Sequence, residues 1–242
     1  MKGVILAGGT GTRMLPLTKV TNKHLLPVYN KPMIYYPLEC LANAGIEEVL
    51  LVTGGNNSGD FIRLLGNGRE FGFKNLNYTY QEGAGGIAQA LALAEHFADG
   101  QSICLILGDN IVEYSIRDSS RRFRHQGQGA KILLAQVENP KAYGVAELDG
   151  DRVARIVEKP AQPQTNWAVI GIYFYDSKVF DIVRTLKPSA RNELEITDVN
   201  NEYIRRGNMT YEVITGWWAD CGSFDALLRS NLLVARENGV DV

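Results

Sequence analysis

The fold is decided by the stretch Lys2-Gly3-Val4-Ile5-Leu6-Ala7-Gly8-Gly9-Thr10-Gly11-Thr12-Arg13-Met14, in which an apolar run passes directly into glycines. A short continuous apolar run that ends at glycine predicts a buried strand. Glycines after such a strand let backbone N–H groups converge on an anion. The stretch therefore predicts one strand of a parallel sheet, with a phosphate-binding loop at its carboxyl end.

The glycine loop matches neither of the two common phosphate-binding templates. The dinucleotide fingerprint requires a third glycine where Met14 stands, and the P-loop requires a Gly-Lys-Ser/Thr ending that is absent. The loop is instead followed by the cations Arg13, Lys19 and Lys23. A guanidinium and ammonium groups near a backbone loop suit a triphosphate. A flexible strand–helix connection with solvated cations remains the alternative for the loop taken alone.

Strands and helices alternate through the first half of the chain, which is typical of an α/β fold. Crossovers of this kind are right-handed, make a mainly parallel sheet flanked by helices, and place ligands beyond the carboxyl ends of the strands. The predicted strands are Lys2–Ala7, Glu48–Thr53, Leu76–Tyr80 and Ser102–Leu107, and the predicted helices are Met33–Ala44, Ser58–Leu65 and Ile87–Phe97.

The second half is richer in strands, and its pattern favours antiparallel or mixed pairing. The predicted strands are Ala130–Val137, Gly144–Leu148, Val153–Val157 and Ala168–Tyr175, with helices over about 178–186, 196–206 and 224–237. No Pro/Gly/Ser-rich linker separates the two halves, so we expect one continuous domain over residues 1–242.

Composition excludes several classes of protein. The 242 residues carry a net charge of −2, which argues against a nucleic-acid-coating protein, and no apolar run approaches the roughly 18 residues of a membrane helix. The three widely spaced cysteines, Cys40, Cys104 and Cys221, cannot form a disulfide framework, and the scattering of the three histidines argues against a zinc site. The first residues lack the pattern of a signal peptide. We therefore expect a cytoplasmic protein without membrane or nucleic-acid partners.

Several separated motifs, in order along essentially the whole chain, resemble the sugar-1-phosphate nucleotidyltransferase family. Besides the glycine loop they are Asn22-Lys23-His24-Leu25-Leu26-Pro27, Lys31-Pro32-Met33-Ile34-Tyr35-Tyr36, Gly86-Ile87-Ala88-Gln89-Ala90, Leu107-Gly108-Asp109-Asn110, Tyr143-Gly144-Val145, Glu158-Lys159-Pro160, Gly171-Ile172-Tyr173-Phe174-Tyr175-Asp176, Glu193-Leu194-Glu195-Ile196-Thr197-Asp198 and Trp217-Trp218-Ala219-Asp220-Cys221-Gly222.

The resemblance implies a Rossmann-like nucleotidyltransferase fold with a smaller antiparallel sugar-binding portion. Within one domain it implies a nucleotide-binding part over about 1–110, a sugar-phosphate-binding part over about 111–222 and a C-terminal helix over about 223–238. Tyr35-Tyr36 and Glu195–Asp198 favour the members that transfer a thymidylyl group. The implied substrates are dTTP and glucose 1-phosphate, the products dTDP-glucose and pyrophosphate, and the cofactor Mg²⁺. Members are commonly homo-oligomers, so a tetramer or dimer is expected.

The resemblance also assigns roles to individual residues. Asp109, which follows a predicted buried strand, and Asp220 are implied Mg²⁺ ligands, although a helix N-cap and a turn residue are the alternatives. The implied catalytic cations are Arg13, Lys23 and Lys159. The implied nucleotide-binding residues are Leu6, Gly8, Gly9, Gly11, Thr12, Arg13, Gln81, Gly86 and Asp109, and the sugar-phosphate-binding residues are Asn110, Gly144, Glu158, Lys159, Val169, Tyr173 and Arg191.

Three other functions remain open at this point. A uridylyltransferase or another specificity on the same scaffold would share these motifs, and His24 and the loop Gln81–Gly86 depart from the family's usual residues. A metal-dependent glycosyltransferase would carry an Asp-x-Asp pair, where this chain has only Asp109. A catalytically silent nucleotide-binding regulator would bind without turnover. Longer members carry a C-terminal helical extension, so we expect altered feedback inhibition in a chain that stops at Val242.

Overall fold

The computed structural model describes residues 1–55 and 57–242. Its strands are β1 Lys2–Ala7, β2 Pro27–Val28, β3 Lys31–Pro32, β4 Glu48–Gly54, β5 Asn75–Gln81, β6 Ile103–Leu107, β7 Asn110–Val112, β8 Ala130–Gln136, β9 Gly144–Asp149, β10 Arg152–Glu158, β11 Trp167–Tyr175, β12 Met209–Val213 and β13 Trp218–Asp220. Its α-helices are α1 Tyr35–Asn43, α2 Ser58–Leu65, α3 Ile87–Ala92, α4 Glu95–Ala98, α5 Arg117–Gln126, α6 Val179–Thr185, α7 Ile196–Arg205 and α8 Phe224–Glu237. No helix in this part of the chain is both long and apolar enough to cross a membrane.

The strand predicted from the opening stretch lies in the middle of the parallel half of the sheet. β1 pairs in parallel with β4 on one side and with β6 on the other, and β5 extends the sheet beyond β4. The register places Leu6 opposite both Val52 and Leu107. Because all four strands run the same way, the loops that follow them meet at one edge of the sheet, as the alternation of strands and helices predicts.

The second half of the chain continues the same sheet in mixed directions. β11 runs antiparallel to β6 and to β8, and β12 pairs in parallel with β8. The β9–β10 hairpin joins the first part of β11, where Ala168 lies opposite Val145. The predicted α/β class, with a mainly parallel sheet flanked by helices and a smaller antiparallel portion, is confirmed.

Each face of the sheet is covered by helices, because successive side chains of a strand point to opposite faces. On β1, Val4 and Leu6 pack with α3, α4, α6 and α7, whereas Ile5 and Ala7 pack with α1, α2 and α5. Both cores contain residues from the parallel half and from the antiparallel half. The sheet is therefore a continuous layer between two helical layers.

The structure differs from the sequence predictions in a few elements. The predicted helix Ile87–Phe97 is divided into α3 and α4, because the backbone N–H groups of Leu93 and Ala94 bond to carbonyls three residues back instead of four. The patterns did not predict β12 or the short pair β7 and β13. The pair β7 and β13 is antiparallel and places Asp220 opposite Asn110, next to the carboxyl end of β6.

Candidate active site

A cleft of about 330 Å³ lies at the carboxyl edge of the parallel strands, between them and the antiparallel portion. It brings together residues that are distant in the sequence, as the parallel topology predicts. The predicted site residues that line it are Leu6, Gly8, Gly9, Arg13, Lys23, Gln81, Gly86, Asp109, Asn110, Gly144, Glu158, Lys159, Val169, Tyr173, Arg191 and Asp220. Gly11 and Thr12 do not line it. Gly11 has a left-handed backbone, and its carbonyl accepts from Met14 N and Thr18 Oγ1 in the turn that carries Arg13 to the cleft.

The pair formed by Asp109 and Lys23 is the buried charge centre of the cleft. Lys23 Nζ donates to Asp109 Oδ2. Burial disfavours both charged forms, but each group favours the charge on the other, so the pKa of Asp109 lies well below its usual range and that of Lys23 lies above. Both groups are therefore charged at neutral pH, and the carboxylate is available as an anionic ligand.

The amide of Asn110 fixes the second oxygen of Asp109 and links it to two other strands. Asn110 Nδ2 donates to Asp109 Oδ1 over 3.0 Å, and Asn110 Oδ1 accepts from Gly171 N at 2.9 Å and from Trp218 Nε1 at 2.7 Å. A Cβ at Gly171 would lie 2.7 Å from the Asn110 amide, so only glycine fits there. Asn110 therefore has a structural task in addition to its predicted role in binding sugar phosphate.

Asp220 provides a second carboxylate with an unpaired oxygen. Its Oδ1 is buried and meets no hydrogen-bond donor among the residues that the structure describes. Burial and the neighbouring Asp109 carboxylate raise the pKa of Asp220 to about 6. A buried carboxylate oxygen without a donor is costly unless a cation binds it. The chemistry of the two carboxylates therefore fits a hard divalent cation such as Mg²⁺, which takes oxygen ligands and completes its shell with phosphate and water.

No group of three or more histidine, cysteine and acidic side chains able to hold a metal occurs within residues 1–55 and 57–242. A cation at Asp109 and Asp220 would therefore depend on oxygen ligands that the substrates bring. This is the pattern of metal sites in phosphate-transferring enzymes, in which one or two carboxylates are supplemented by substrate phosphates.

Two cations of the cleft are free to meet phosphate groups. Arg13 is exposed and forms no ion pair with any residue that the structure describes, and its Nη2 lies 2.8 Å from where a Cβ at Gly222 would stand. Lys159 Nζ lies 3.8 Å from Glu158 Oε1 and is otherwise open. The backbone of Lys159 has a φ of 43°, which is unusual for a residue with a side chain, and its N–H donates to Tyr143 O at 3.0 Å.

Gln81 lies at the end of β5, on the side of the cleft that is predicted to bind the nucleotide. Its Nε2 donates to Gly86 O at 3.2 Å and to Gln89 Oε1 at 2.8 Å. The Oε1 of Gln81 lies 2.8 Å from where a Cβ at Gly8 would stand, so glycine is required for this approach. The amide and the two glycines therefore form one surface against which a flat base edge can lie.

The side of the cleft that is predicted to bind the sugar phosphate is built from the end of β10 and the start of α7. Glu158 Oε2 accepts from Thr197 Oγ1 at 2.6 Å, and Glu158 Oε1 accepts from Arg191 Nη2 at 3.3 Å. Gly144 lies against this pair, with 3.4 Å between the position of an added Cβ and Glu158 Oε2. One carboxylate oxygen of Glu158 therefore accepts a hydrogen bond from a hydroxyl group, and the other accepts one from a guanidinium group.

His24 lines the cleft and was not among the predicted site residues. Asn22 Nδ2 donates to Ala7 O, which orients the amide so that Asn22 Oδ1 accepts from both His24 N and His24 Nδ1. Burial, with the charge of Lys23, lowers the pKa of His24 to about 3. The ring is therefore neutral with its proton on Nδ1, and Nε2 can only accept. The neighbouring Gly108 has no room for a Cβ, which would lie 2.8 Å from His24 Cδ2.

Further cleft residues were also missing from the predicted set. Trp218 and Tyr143 form an edge-to-face pair with ring centroids 4.9 Å apart, and the motifs Tyr143-Gly144 and Trp217-Trp218 could have indicated them. Other lining residues are Ala84, Ile87, Ala90, Leu107, Ala142, Gly171, Glu193, Glu195, Ile196, Thr197 and Asn200. Most of them lie inside the motifs quoted above, and Ala84, Ala142 and Asn200 lie within two residues of one, but a motif does not say which side chains turn inward.

Two other features next to the site have structural explanations. Cys221 is buried with its Sγ 3.0 Å from Ser230 Oγ, and burial raises the pKa of its thiol to about 12, so it is not a nucleophile. The arginines of α5 are occupied: Arg122 pairs with Glu212, and Arg117 donates to Asn43 O. Arg121 pairs with Asp118, and Arg124 Nη2 donates to Gly45 O, so each arginine of this exposed helix face has a polar partner.

Comparison with known proteins places the chain in a family. The profile of the nucleotidyl transferase family matches residues 2–237. Glucose-1-phosphate thymidylyltransferases from Neisseria meningitidis and Mycolicibacterium smegmatis are 43% and 47% identical over 94% and 96% of this chain, and over 80% and 81% of their own length. A structure from Bacillus anthracis with bound sucrose, whose name assigns it the same activity, aligns over 100% of this chain and 97% of its own with a TM-score of 0.93 and 48% identity. A UDP-glucose pyrophosphorylase with UDP-glucose aligns over 98% of both chains with a TM-score of 0.86 and 25% identity. With the cleft and its carboxylates at the expected edge of the sheet, these matches show that the chain belongs to the nucleotidyl transferase family.

Proposed function

We propose that this chain transfers a thymidylyl group from dTTP to α-D-glucose 1-phosphate and releases dTDP-glucose and pyrophosphate. One observation carries the proposal. Gln81, the carboxylate pair Asp109 and Asp220, and Glu158 all line a single cleft, which supports binding of a nucleotide and a sugar phosphate side by side. The relatives named for this reaction, at 43% to 47% identity, support the same substrates.

The reaction joins two anions, so the chain's main task is to hold two phosphate groups in line and neutralise their charge. The phosphate of glucose 1-phosphate is itself the nucleophile, and no general base is needed. We assign Arg13 to the β- and γ-phosphates that leave as pyrophosphate, and Lys23 to the α-phosphate region. Lys159 and Arg191 are assigned to the phosphate of the sugar substrate.

The remaining contacts orient the substrates. Gly8, Gln81 and Gly86 are assigned to the thymine edge, because Gln81 Oε1 can accept from the base while Gln81 Nε2 is held by Gly86 O and Gln89 Oε1. Glu158, whose carboxylate is fixed by Thr197, is assigned to sugar hydroxyls. The other nucleotide contacts assigned are Leu6 and Gly9, whereas Gly11 and Thr12, which do not line the cleft, are assigned to the loop that positions Arg13 on the nucleotide. The other sugar-phosphate contacts are Asn110, Gly144, Val169 and Tyr173.

We assign Mg²⁺ as the cofactor, with Asp109 and Asp220 as the residues that would hold it. A bound divalent cation supplies positive charge to the phosphate oxygens and helps to fix their orientation. Lys23 keeps Asp109 ionised in the absence of any cation. This part of the proposal predicts loss of turnover on chelation with EDTA and recovery with MgCl₂.

Pyrophosphate release with dTTP, UTP, CTP and GTP, each offered with glucose 1-phosphate, tests the nucleotide specificity. We expect the highest kcat/KM with dTTP. A higher value with UTP would favour the uridylyl alternative, which the fold of the UDP-glucose pyrophosphorylase also supports. Binding of dTTP without release of pyrophosphate from any pair would support the silent regulator instead.

A cytoplasmic location and a homo-oligomer, tetramer or dimer, are also proposed. The three cysteines are free thiols in the structure, which suits a reducing compartment. Light scattering after size-exclusion chromatography measures the oligomer, and a single peak at the monomer mass of 26.8 kDa would contradict it.

A further inference from the structure

The loop between α6 and α7 carries Arg191 to the sugar-phosphate side and is tightly folded. Ser189 N donates to Glu193 O and Asn192 N donates to Ser189 O, both at 2.8 Å. Asn192 has a left-handed backbone with a φ of 59°, a conformation that asparagine tolerates better than most residues. The backbone of Arg191 is therefore set by the loop, but its long side chain still has to be oriented.

Glu195, the residue at the N-terminal end of α7, orients that side chain. Its Oε1 lies 3.2 Å from Arg191 Nε, and its Oε2 lies 2.8 Å from Arg191 Nη2. The two contacts are parallel and hold the guanidinium plane in one orientation. Ser189 Oγ donates to Glu195 Oε1 at 2.6 Å, so the carboxylate is itself fixed.

The pairing leaves one nitrogen of the guanidinium for a ligand. Nε and Nη2 of Arg191 face Glu195, whereas Nη1 has no hydrogen-bond partner among residues 1–55 and 57–242. Two other carboxylates lie near Nη2 at longer distances, Glu158 Oε1 at 3.3 Å and Glu193 Oε2 at 3.9 Å. Without Glu195, the guanidinium could turn toward either of them and away from an incoming phosphate.

We propose that Glu195 is a positioning residue that holds Arg191 in the orientation in which Nη1 meets the phosphate of the sugar 1-phosphate. The inference rests on the proposed function, because it assigns that phosphate to Arg191. Although Glu195 lines the cleft, both of its carboxylate oxygens already accept from protein donors, Ser189 and Arg191. Its effect should therefore pass entirely through Arg191.

Steady-state kinetics of Glu195→Gln test the proposal. The glutamine amide has only one oxygen and cannot accept both parallel hydrogen bonds from Arg191. We therefore expect the KM for glucose 1-phosphate to rise about tenfold, which is the scale of one lost charged hydrogen bond. The KM for dTTP should stay within about twofold of the wild-type value. Glu202→Gln is the matched control on the same helix, since Glu202 pairs with Arg205 and Arg206 away from the cleft. It should change neither KM.

A double-mutant cycle distinguishes positioning from a general structural effect. In the Arg191→Ala background, Glu195→Gln should raise the KM for glucose 1-phosphate less than about twofold further. An equal rise in both backgrounds, or an equal rise in the two substrates' KM values, would overturn the proposal.

Calorimetric titration of the wild-type chain with glucose 1-phosphate distinguishes failure of this inference from failure of the proposed function. If glucose 1-phosphate binds but no dTDP-glucose forms, only the proposed function is contradicted, and the double-mutant cycle is then measured with dissociation constants instead of KM values. If glucose 1-phosphate does not bind, both the proposed function and the positioning role of Glu195 are contradicted.

Discussion

The two carboxylates of the cleft have opposite electrostatic surroundings. Asp109 is paired with buried Lys23 and accepts from Asn110, whereas Asp220 Oδ1 has no donor within residues 1–55 and 57–242 and lies near the charge of Asp109. Removing the charge of Asp109 leaves a buried ammonium group without its partner, which is strongly destabilising. Removing the charge of Asp220 relieves repulsion between like charges. Equal substitutions at the two positions should therefore act differently on stability.

Asp109→Asn should lower the free energy of unfolding by about 3 kcal/mol, and Asp220→Asn should leave it within about 0.5 kcal/mol of the wild-type value or raise it. Both variants should lose at least about 100-fold in kcat, since each removes a carboxylate assigned to hold the divalent cation that would neutralise phosphate charge. Urea unfolding at about pH 7.5 and pyrophosphate release measure the two quantities. Near-normal turnover in the double variant would contradict the metal assignment, and equal destabilisation by the two changes would contradict the electrostatic account.

Sequence motifs predict those site residues whose position follows from the neighbouring residues in the chain. Arg13 follows a glycine loop, and Asp109 follows a buried strand, so the pattern alone places both at the carboxyl edge of the sheet. His24 and Glu195 cannot be placed in this way. Their roles depend on which neighbour satisfies them, namely Asn22 for the ring and Arg191 for the carboxylate, and no periodicity encodes such a pair.

At the scale of elements, the loop after β5 and the loop before α7 are joined by backbone hydrogen bonds. Leu194 N donates to Gly85 O at 2.8 Å, and Ala88 N donates to Leu194 O at 3.1 Å. The loop assigned to the base therefore supports the loop that carries Arg191. Gly86 makes this approach possible, because a Cβ there would lie 2.6 Å from Leu194 O.

Gly86→Ala should destabilise the protein by more than about 2 kcal/mol, because it adds a clash with Leu194 to the backbone strain of a side chain at a φ of 94°. Gly83→Ala in the same loop is the matched control. Gly83 has a φ of 72°, but an added Cβ would meet nothing within 4 Å, so only the backbone cost of about 1 kcal/mol applies. Thermal and urea unfolding measure both, and equal losses would show that the approach to Leu194 is unimportant.

Strand prediction succeeds where burial makes long apolar runs, as in β6 and β11, and fails where strands are short or polar. β7 and β13 have three residues each, and their pairing depends on a long-range contact between Asn110 and Asp220. β12, Met209–Val213, has no fully buried residue, and its more buried and more exposed residues alternate only weakly. Such strands form because a partner is already in place, which is information about the whole fold and is absent from the local sequence.

The edge strand β12 is tied to the molecule by Glu212. Its carboxylate accepts from Arg122 and Ser119 of α5 and from buried Lys131 of β8. Burial opposes the charge, but these donors lower the pKa of Glu212 to about 2. A folded-state pKa below the unfolded value means that this stabilisation is complete above about pH 4.5 and is lost as the pH falls toward about 2.

Glu212→Gln should therefore cost about 2 kcal/mol at pH 7, and its difference from the wild type should shrink steadily between about pH 4.5 and 2. Urea unfolding at about pH 7, 5 and 3.5 measures the trend. Glu147→Gln is the control, because exposed Arg155 is the one described residue with which Glu147 forms an ion pair, and its loss should cost less than about 0.5 kcal/mol. A loss that is independent of pH would contradict the role assigned to the charge.

At the scale of the whole molecule, the proposed nucleotide part and sugar-phosphate part do not have separate cores. Val4 and Leu105 of the parallel half share one core with Tyr173 and Val199 of the other half, and Ile5 shares the opposite core with Ile172 and Phe174. β6 and β11 are hydrogen-bonded neighbours at the join. A cleft between the two parts can thus open only as far as a continuous sheet allows.

Residues 1–242 should therefore unfold as one cooperative unit, because neither part can bury its apolar surface without the other. Differential scanning calorimetry should give a single transition whose calorimetric and van't Hoff enthalpies agree, and saturating dTDP-glucose should shift it upward as a whole. Limited proteolysis should yield no stable fragment ending near residue 110. Two resolved transitions, or a shift of only one of them with ligand, would show that the nucleotide-binding and sugar-phosphate-binding parts are separate folding units despite the shared sheet.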